Sequence, residues 1–242
     1  PSISNLNLPL DTIEALAWGS NLSWGFSKHP PVSAFIVEMV FSFFGNQDWA
    51  YYLLSQIFVV TSFIYVWKFS NFIFENKLLS LCSIFLLEGV YYYNFTSPEF
   101  NVNVCQLPFW ALVVFYSWKS INYEKISDLI LLGIFMSVGF LTKYLFIYLI
   151  LTIKIVFLLH LLKKKKFNIR LLIPGTIFIL FLTPHLIWLY QNDFTSITYA
   201  LNRTGIDETN FTNHLYNTFI FFVKQAGILI PVFLMLLPLI DL

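Results

Sequence analysis

Long apolar runs broken by short polar links set the pattern of this chain. A membrane-crossing helix needs about 20 apolar residues in succession, with a range of roughly 17 to 25. Seven stretches reach or approach that length: Trp49 to Phe69, Leu78 to Phe95, Val102 to Trp118, Leu129 to Leu141, Tyr144 to Leu162, Leu171 to Tyr190 and Thr218 to Leu239. The fourth of them is short. Val32 to Phe44 is also apolar, but Glu38 interrupts it and Gly45-Asn46-Gln47-Asp48 follows, so a helix lying in the interface, or half-inserted, suits it better. Pro184-His185, in the second half of the sixth stretch, predicts a kink or a broken helix. The predicted fold is all-α: a polytopic membrane protein of about seven transmembrane helices, with interfacial helices in its opening loop. Residues 1–48 are that loop and residues 49–242 the membrane part of one domain.

Composition agrees with a membrane solvent. The chain is 58% hydrophobic and 20% aromatic, with only 11% charged residues, against about 25% charged in soluble domains. Cys82 and Cys105 fall in apolar stretches without CxxC spacing and read as buried thiols, neither disulfide nor metal ligands. The four histidines are scattered and suggest no zinc site. The chain starts without Met in a polar segment and stops just after an apolar run, so it is expected to be incomplete at both ends. The net charge of +1 is uninformative by itself, and nucleic acid is not an expected partner.

The position of the charges says more than their sum. Three links that alternation puts on one side hold Lys68, Lys77, Lys119, Lys125, Lys163 to Lys166 and Arg170, nine of the fourteen Lys and Arg. By the positive-inside rule that side is cytoplasmic. The opening loop, Thr96 to Asn101, Lys143 and the loop from Gln191 to Asn217 then share the outer face.

The polar residues on that face are candidates for chemistry, and each has a structural alternative. Asp11 and Glu14 stand at i and i+3 and share a helix face. They suit a general base with a substrate-binding acid, or a capping box at a helix start. Lys28-His29-Pro30-Pro31 offers two cations to a lipid phosphate, or a snorkelling lysine before a helix that starts at Pro31. Glu99 matches the positive start of the following helix, and Asn101 and Asn103 serve equally as caps or as sugar-binding amides. Lys143, between Thr142 and Tyr144, is an interfacial anchor or a phosphate contact. Arg203 is an ordinary loop cation or a bidentate phosphate clamp. Glu88 and Lys154 are ionisable groups inside spans; Lys154 lies toward the lysine-rich end and can snorkel there, whereas Glu88 is expected to line a cavity or bond a neighbouring helix.

An acid opening a short helix, then Trp18, Trp24-Gly25-Phe26 and Lys28-His29-Pro30-Pro31, resembles the first outer loop of bacterial GT-C membrane glycosyltransferases of the family 39/83 type. Phe100-Asn101-Val102-Asn103 with Pro108 and Trp110, Thr142-Lys143-Tyr144, and Pro184-His185-Leu186-Ile187-Trp188 before Asn192-Asp193-Phe194 extend the likeness in the family's order. The family includes protein mannosyltransferases, aminoarabinose transferases acting on lipid A and galacturonosyltransferases acting on lipopolysaccharide.

The resemblance implies an inverting transfer of a sugar from a polyprenyl-phosphate donor to an envelope glycan, lipid or protein, on the periplasmic face of the bacterial inner membrane. It implies Asp11 as the catalytic base, and Glu14, Lys28, His29, Glu99, Asn101, Asn103, Lys143, Tyr144 and Arg203 as substrate-binding groups. A divalent metal is compatible with this many acids, though no residue is assigned to one. Where the family carries an Asp-Glu pair, Thr12 follows Asp11 here and Glu14 comes two positions later. A flippase or transporter of lipid-linked sugars is the alternative, and it predicts inverted repeats around a midplane site. An O-antigen ligase would carry a large outer loop rich in Arg and His, whereas the last outer loop holds Arg203 and His214.

Overall fold

Short two-residue turns between long helices determine how this chain stacks. The computed structural model describes residues 7–164, 168–203 and 211–237, whose regular elements are all helical. In chain order they are α1 (Leu10–Gly19), α2 (Val32–Phe44), α3 (Asp48–Phe74), α4 (Lys77–Glu88), α5 (Tyr91–Asn94), α6 (Val102–Tyr123), α7 (Ile126–Thr142), α8 (Ile147–Lys164), α9 (Ile173–Gln191), α10 (Thr195–Arg203) and α11 (Phe211–Leu236). A 3-10 turn precedes α8 at Tyr144–Phe146 and another precedes α9 at Ile169–Leu172.

Helices α3 and α6 each end on a glutamate in the left-handed region, Glu75 at φ 50° and Glu124 at φ 48°. That conformation stops the helix and turns the chain, so α4 and α7 run back along their predecessors. Asn76 then caps α4, its Oδ1 accepting from the Leu78 and Leu79 amides at 2.9 and 3.3 Å. Side by side, α4, α3, α6, α7 and α9 form the row of packed helices, and α2 lies beside α1.

Small residues allow these close approaches, as expected where lipid supplies no hydrophobic drive between helices. A Cβ on Gly133 of α7 would lie 2.8 Å from Ile177 Cβ and 2.9 Å from Pro174 O of α9. Ser117, Ser120 and Ser137 are buried along α6 and α7. One core cluster joins α1, α2, α3 and α6 through Ala15, Val37, Tyr51, Leu54, Phe100 and Cys105. A second joins α6, α7 and α8 through Val113, Leu132, Met136, Phe146, Leu149 and Ile150. Outside these clusters, α8, α9 and α11 display rows of exposed Leu, Ile and Phe, the surface a bilayer would cover.

The protein is an all-α, polytopic membrane protein. Among the described residues, four segments are both long and apolar enough to cross a membrane: Asp48–Phe74, Tyr144–Lys164, Ile169–Gln191 and Leu215–Leu236. The other three of the seven expected stretches differ in length or polarity. The one from Leu78 to Phe95 divides into α4 and α5, because α4 ends at Gly89, whose bare Cα lets Met235 and Val232 of α11 come close. At 22 residues α6 is about 33 Å long, but Asn103, Gln106 and Lys119 make it more polar. Helix α7 is apolar and has 17 residues. Helix α9 continues through Pro184 as one element and is not broken there; in a membrane, neighbouring groups can re-satisfy what a proline frees. Cys105 is buried as expected, whereas Cys82 is only half-buried, and both are free thiols.

The lysine-rich links form one end of the bundle. There Lys119 bonds Asp128 at 2.6 Å, and Glu124 accepts from Lys164 and Asn168, both at 2.7 Å. The opposite end holds α1, the Lys28-His29 loop, the start of α6, the end of α7 and α10.

Candidate active site

At that opposite end the chain encloses a cavity of about 420 Å³. Its wall includes Asp11, Glu14, Lys28, His29, Asn103, Lys143, Tyr144 and Arg203, with Val102, Leu145, Tyr199 and Ala200 between them. Eight of the ten side chains singled out in the sequence therefore meet in one place. Asn101 reaches only a small recess beside it, shared with Asp11, Glu14, Trp18, His29 and Ser33. Glu99 lines neither of them and lies beside the Asp11 backbone and Asn101.

Helix α1 carries both acids. Its N-cap is Pro9, with no side-chain cap bond, so Asp11 and Glu14 are not the members of a capping box. Thr12, 1% exposed, donates to the Phe100 carbonyl at 3.0 Å and locks the first turn of α1 onto the start of α6. With Thr12 turned inward, Asp11 and Glu14 face the cavity on the same side. The Asp11 carboxylate is exposed and has no hydrogen-bond or ion-pair partner among the described residues. Glu14 instead binds Lys28 at 2.5 Å, and this bond holds the Lys28 ammonium above its ordinary pKa.

Glu99 faces the backbone N–H of Asp11 and the side chain of Asn101. Burial, then the negative charge of Asp11, pushes its carboxyl up from the ordinary value. It thus serves the start of α1, not only the helix that follows it in sequence. Asn101 is the N-cap of α6: its Oδ1 accepts from the Asn103 and Val104 amides at 2.9 and 3.1 Å. The cap accounts for that oxygen. Asn103 is different, because its Oδ1 accepts from Lys143 Nζ at 2.6 Å and its amide nitrogen remains for the cavity.

Lys143 terminates α7 with extended backbone. Burial, then the charge of Arg203, lowers its pKa, while Asp11 acts in the opposite sense. His29 packs edge-on to Trp18, which stacks on Phe26. Burial, then the Lys143 charge, depresses the imidazole to about 4, so at neutral pH His29 is uncharged. It offers a hydrogen bond to an anion and no charge. With Lys28 matched by Glu14, the cavity sets Lys143 and Arg203 against the single carboxylate Asp11. That excess suits a phosphate-bearing ligand.

Two residues that matter here were outside the predicted set. His185 and Ser196 are both 0% exposed. The His185 ring links the Trp24 carbonyl to Tyr144, and Ser196 bonds Tyr144 in turn. A histidine within an apolar stretch was the available signal, since ionisable groups there are costly and partnered. Ser196 carried no signal at all. Glu88 and Lys224 line a separate cavity between α4–α5 and α11, and Lys154 is exposed on α8. Among the described residues no group of three or more His, Cys, Asp or Glu side chains is placed to hold a metal ion.

Fold and site together define a polytopic helical membrane protein with an acid-and-cation cavity at one end of its bundle. Residues 28–188 match the family described as dolichyl-phosphate-mannose-protein mannosyltransferase. The chain belongs to that family, a group of GT-C-type membrane glycosyltransferases. It is also 30% identical, over 109 residues, to the undecaprenyl phosphate-alpha-4-amino-4-deoxy-L-arabinose arabinosyl transferase of Wigglesworthia glossinidia brevipalpis. That alignment covers 42% of this chain and 19% of the relative, so the chain matches about a fifth of that protein's length. No solved structure matches it.

Proposed function

We propose that this protein transfers a sugar from a polyprenyl-phosphate donor to an acceptor of the cell envelope, on the periplasmic face of the bacterial inner membrane. The observation that carries the reading is the unpartnered carboxylate of Asp11 in one cavity with Lys143 and Arg203. Asp11 takes the proton of an acceptor hydroxyl. The oxygen attacks the anomeric carbon, the bond from that carbon to the phosphate oxygen breaks, and the configuration inverts. The electron pair leaves with the lipid phosphate, whose charge Lys143 and Arg203 receive. Neutral His29 and the Asn103 amide orient the phosphate and the sugar, and the Glu14–Lys28 pair forms one wall. Holding donor and acceptor in one cavity supplies the proximity part of the acceleration. The name of the similar arabinosyl transferase supports a polyprenyl-phosphate donor and leaves the sugar and acceptor of this chain open to direct measurement.

The test is mass spectrometry of lipopolysaccharide and envelope glycans from a deletion strain complemented with wild type or Asp11→Asn. Loss of one sugar in the deletion, its return with wild type and its absence with Asp11→Asn is the expected pattern. Full rescue by Asp11→Asn would falsify the base assignment.

A further inference from the structure

Three segments deliver cations to the cavity: the loop with Lys28, the α7 end with Lys143, and α10 with Arg203. One buried imidazole joins all three. His185 Nδ1 lies 2.6 Å from the Trp24 carbonyl, in the turn before Lys28. The next residue, Gly25, lies flat on Trp188; a Cβ there would come within 2.2 Å of the indole. Trp188 is also stacked parallel to His185. Downstream, the Phe26 amide donates to the His29 carbonyl at 3.1 Å and closes the loop. On the other side of the ring, Nε2 lies 2.9 Å from the Tyr144 hydroxyl, next to Lys143. That hydroxyl lies 2.6 Å from Ser196 Oγ, the buried foot of α10.

The chemistry of the partners sets the proton positions. A carbonyl only accepts, so neutral His185 carries its hydrogen on Nδ1 and donates it to Trp24. Nε2 must then accept from Tyr144 O–H, and the Tyr144 oxygen accepts from Ser196. Every member of the chain is satisfied, so the Tyr144 hydroxyl has no proton left for a substrate. Helix α10 follows two successive left-handed residues, Asp193 at φ 51° and Phe194 at φ 53°, and Ser196 is its buried residue.

We infer that His185, acting through Tyr144 and Ser196, is a positioning residue that holds the three cation-bearing segments around one phosphate. The inference rests on the sugar-transfer reading and assigns Tyr144 to this framework instead of to sugar binding. His185→Asn isolates the Tyr144 side, because the Asn amide nitrogen can still donate to Trp24 from the Nδ1 position while nothing replaces Nε2.

The experiment uses the full-length protein in lipid nanodiscs and measures polyprenyl-phosphate binding separately from sugar transfer, with thermal unfolding of every variant alongside. Binding weakens roughly tenfold in His185→Asn and in Tyr144→Phe, the scale of one lost buried hydrogen bond. The KM for the donor rises in parallel while kcat holds within about threefold, because the reacting groups are untouched. The double variant binds no more weakly than the worse single one, since both remove the same link. Ser196→Ala, a milder change, also weakens binding by releasing Arg203, and it carries the test if the other variants fold poorly. Unchanged binding in folded His185→Asn or Ser196→Ala, multiplying losses in the double variant, or a loss confined to kcat overturns the inference. A wild-type protein that fails to bind polyprenyl phosphate overturns the sugar-transfer reading itself.

Discussion

Asp11 and His29 show how much a residue's surroundings decide here. Asp11 is an exposed residue of the cavity wall, and its charge acts on Lys143 across that cavity. Removing its charge leaves no partner stranded, so Asp11→Asn should unfold at the wild-type temperature. Sugar transfer by purified protein should nonetheless drop by about 10²- to 10⁴-fold, the usual contribution of a general base. His29 lies at about 4 in the folded protein against 6.5 ordinarily, because burial and Lys143 oppose its charge. The unfolded chain therefore binds the extra proton first as the pH falls. His29 destabilises the fold progressively from pH 6.5 down to about 4, and its effect levels off below that. Thermal unfolding of His29→Gln between those limits should show a shallower acid-side decline than wild type; parallel curves would contradict the assignment.

Helix placement depends on a few contacts that tolerate little change. Gly133 is where α7 meets α9, and a methyl group there would collide with Ile177 and the Pro174 carbonyl. Gly133→Ala should cost about 1–3 kcal/mol, the range for overpacking. Gly175, on α9, has nothing within 4 Å of its missing Cβ. Gly175→Ala is the matched control and should leave the unfolding temperature unchanged or slightly raised. Thr12 performs the same service for α1. Replacing it with Val keeps the shape, leaves the Phe100 carbonyl without its 3.0 Å donor, and should cost about 1–2 kcal/mol. Since α1 carries both acids, the donor KM should rise as well.

Over the whole molecule, the lysine-rich links and the candidate site lie at opposite ends. The ion pairs Lys119–Asp128 and Lys164–Glu124 mark one end and the cavity marks the other. The proposed orientation puts the cavity in the periplasm. A membrane-impermeant maleimide applied to intact spheroplasts should then label Asn21→Cys, and should reach Asn168→Cys only after lysis. The reverse pattern would turn the protein over and remove the proposed reaction from the envelope side.

Hydropathy and charge alternation were enough to establish an all-α membrane protein with its polar groups at one end. Both depend on residues close together in sequence. Lipid selects each apolar run independently, and lysine bias sets sides by simple alternation. The same side assignment gathered Asp11, Lys28, His29, Lys143 and Arg203 as candidates on one face, and the family resemblance supplied their expected roles. The tertiary structure decided what each one does. It turned Asn101 into a cap, set Glu99 beside the Asp11 backbone, and tied Glu14 to Lys28. It also divided the expected span from Leu78 to Phe95 at Gly89, where α11 packs. His185 reaches Trp24 across 161 positions and Tyr144 across 41. No local pattern encodes such bonds. They exist because α9 packs on α7 closely enough to bring a buried ring against two distant segments, and hydrogen bonds need partners within about 3 Å.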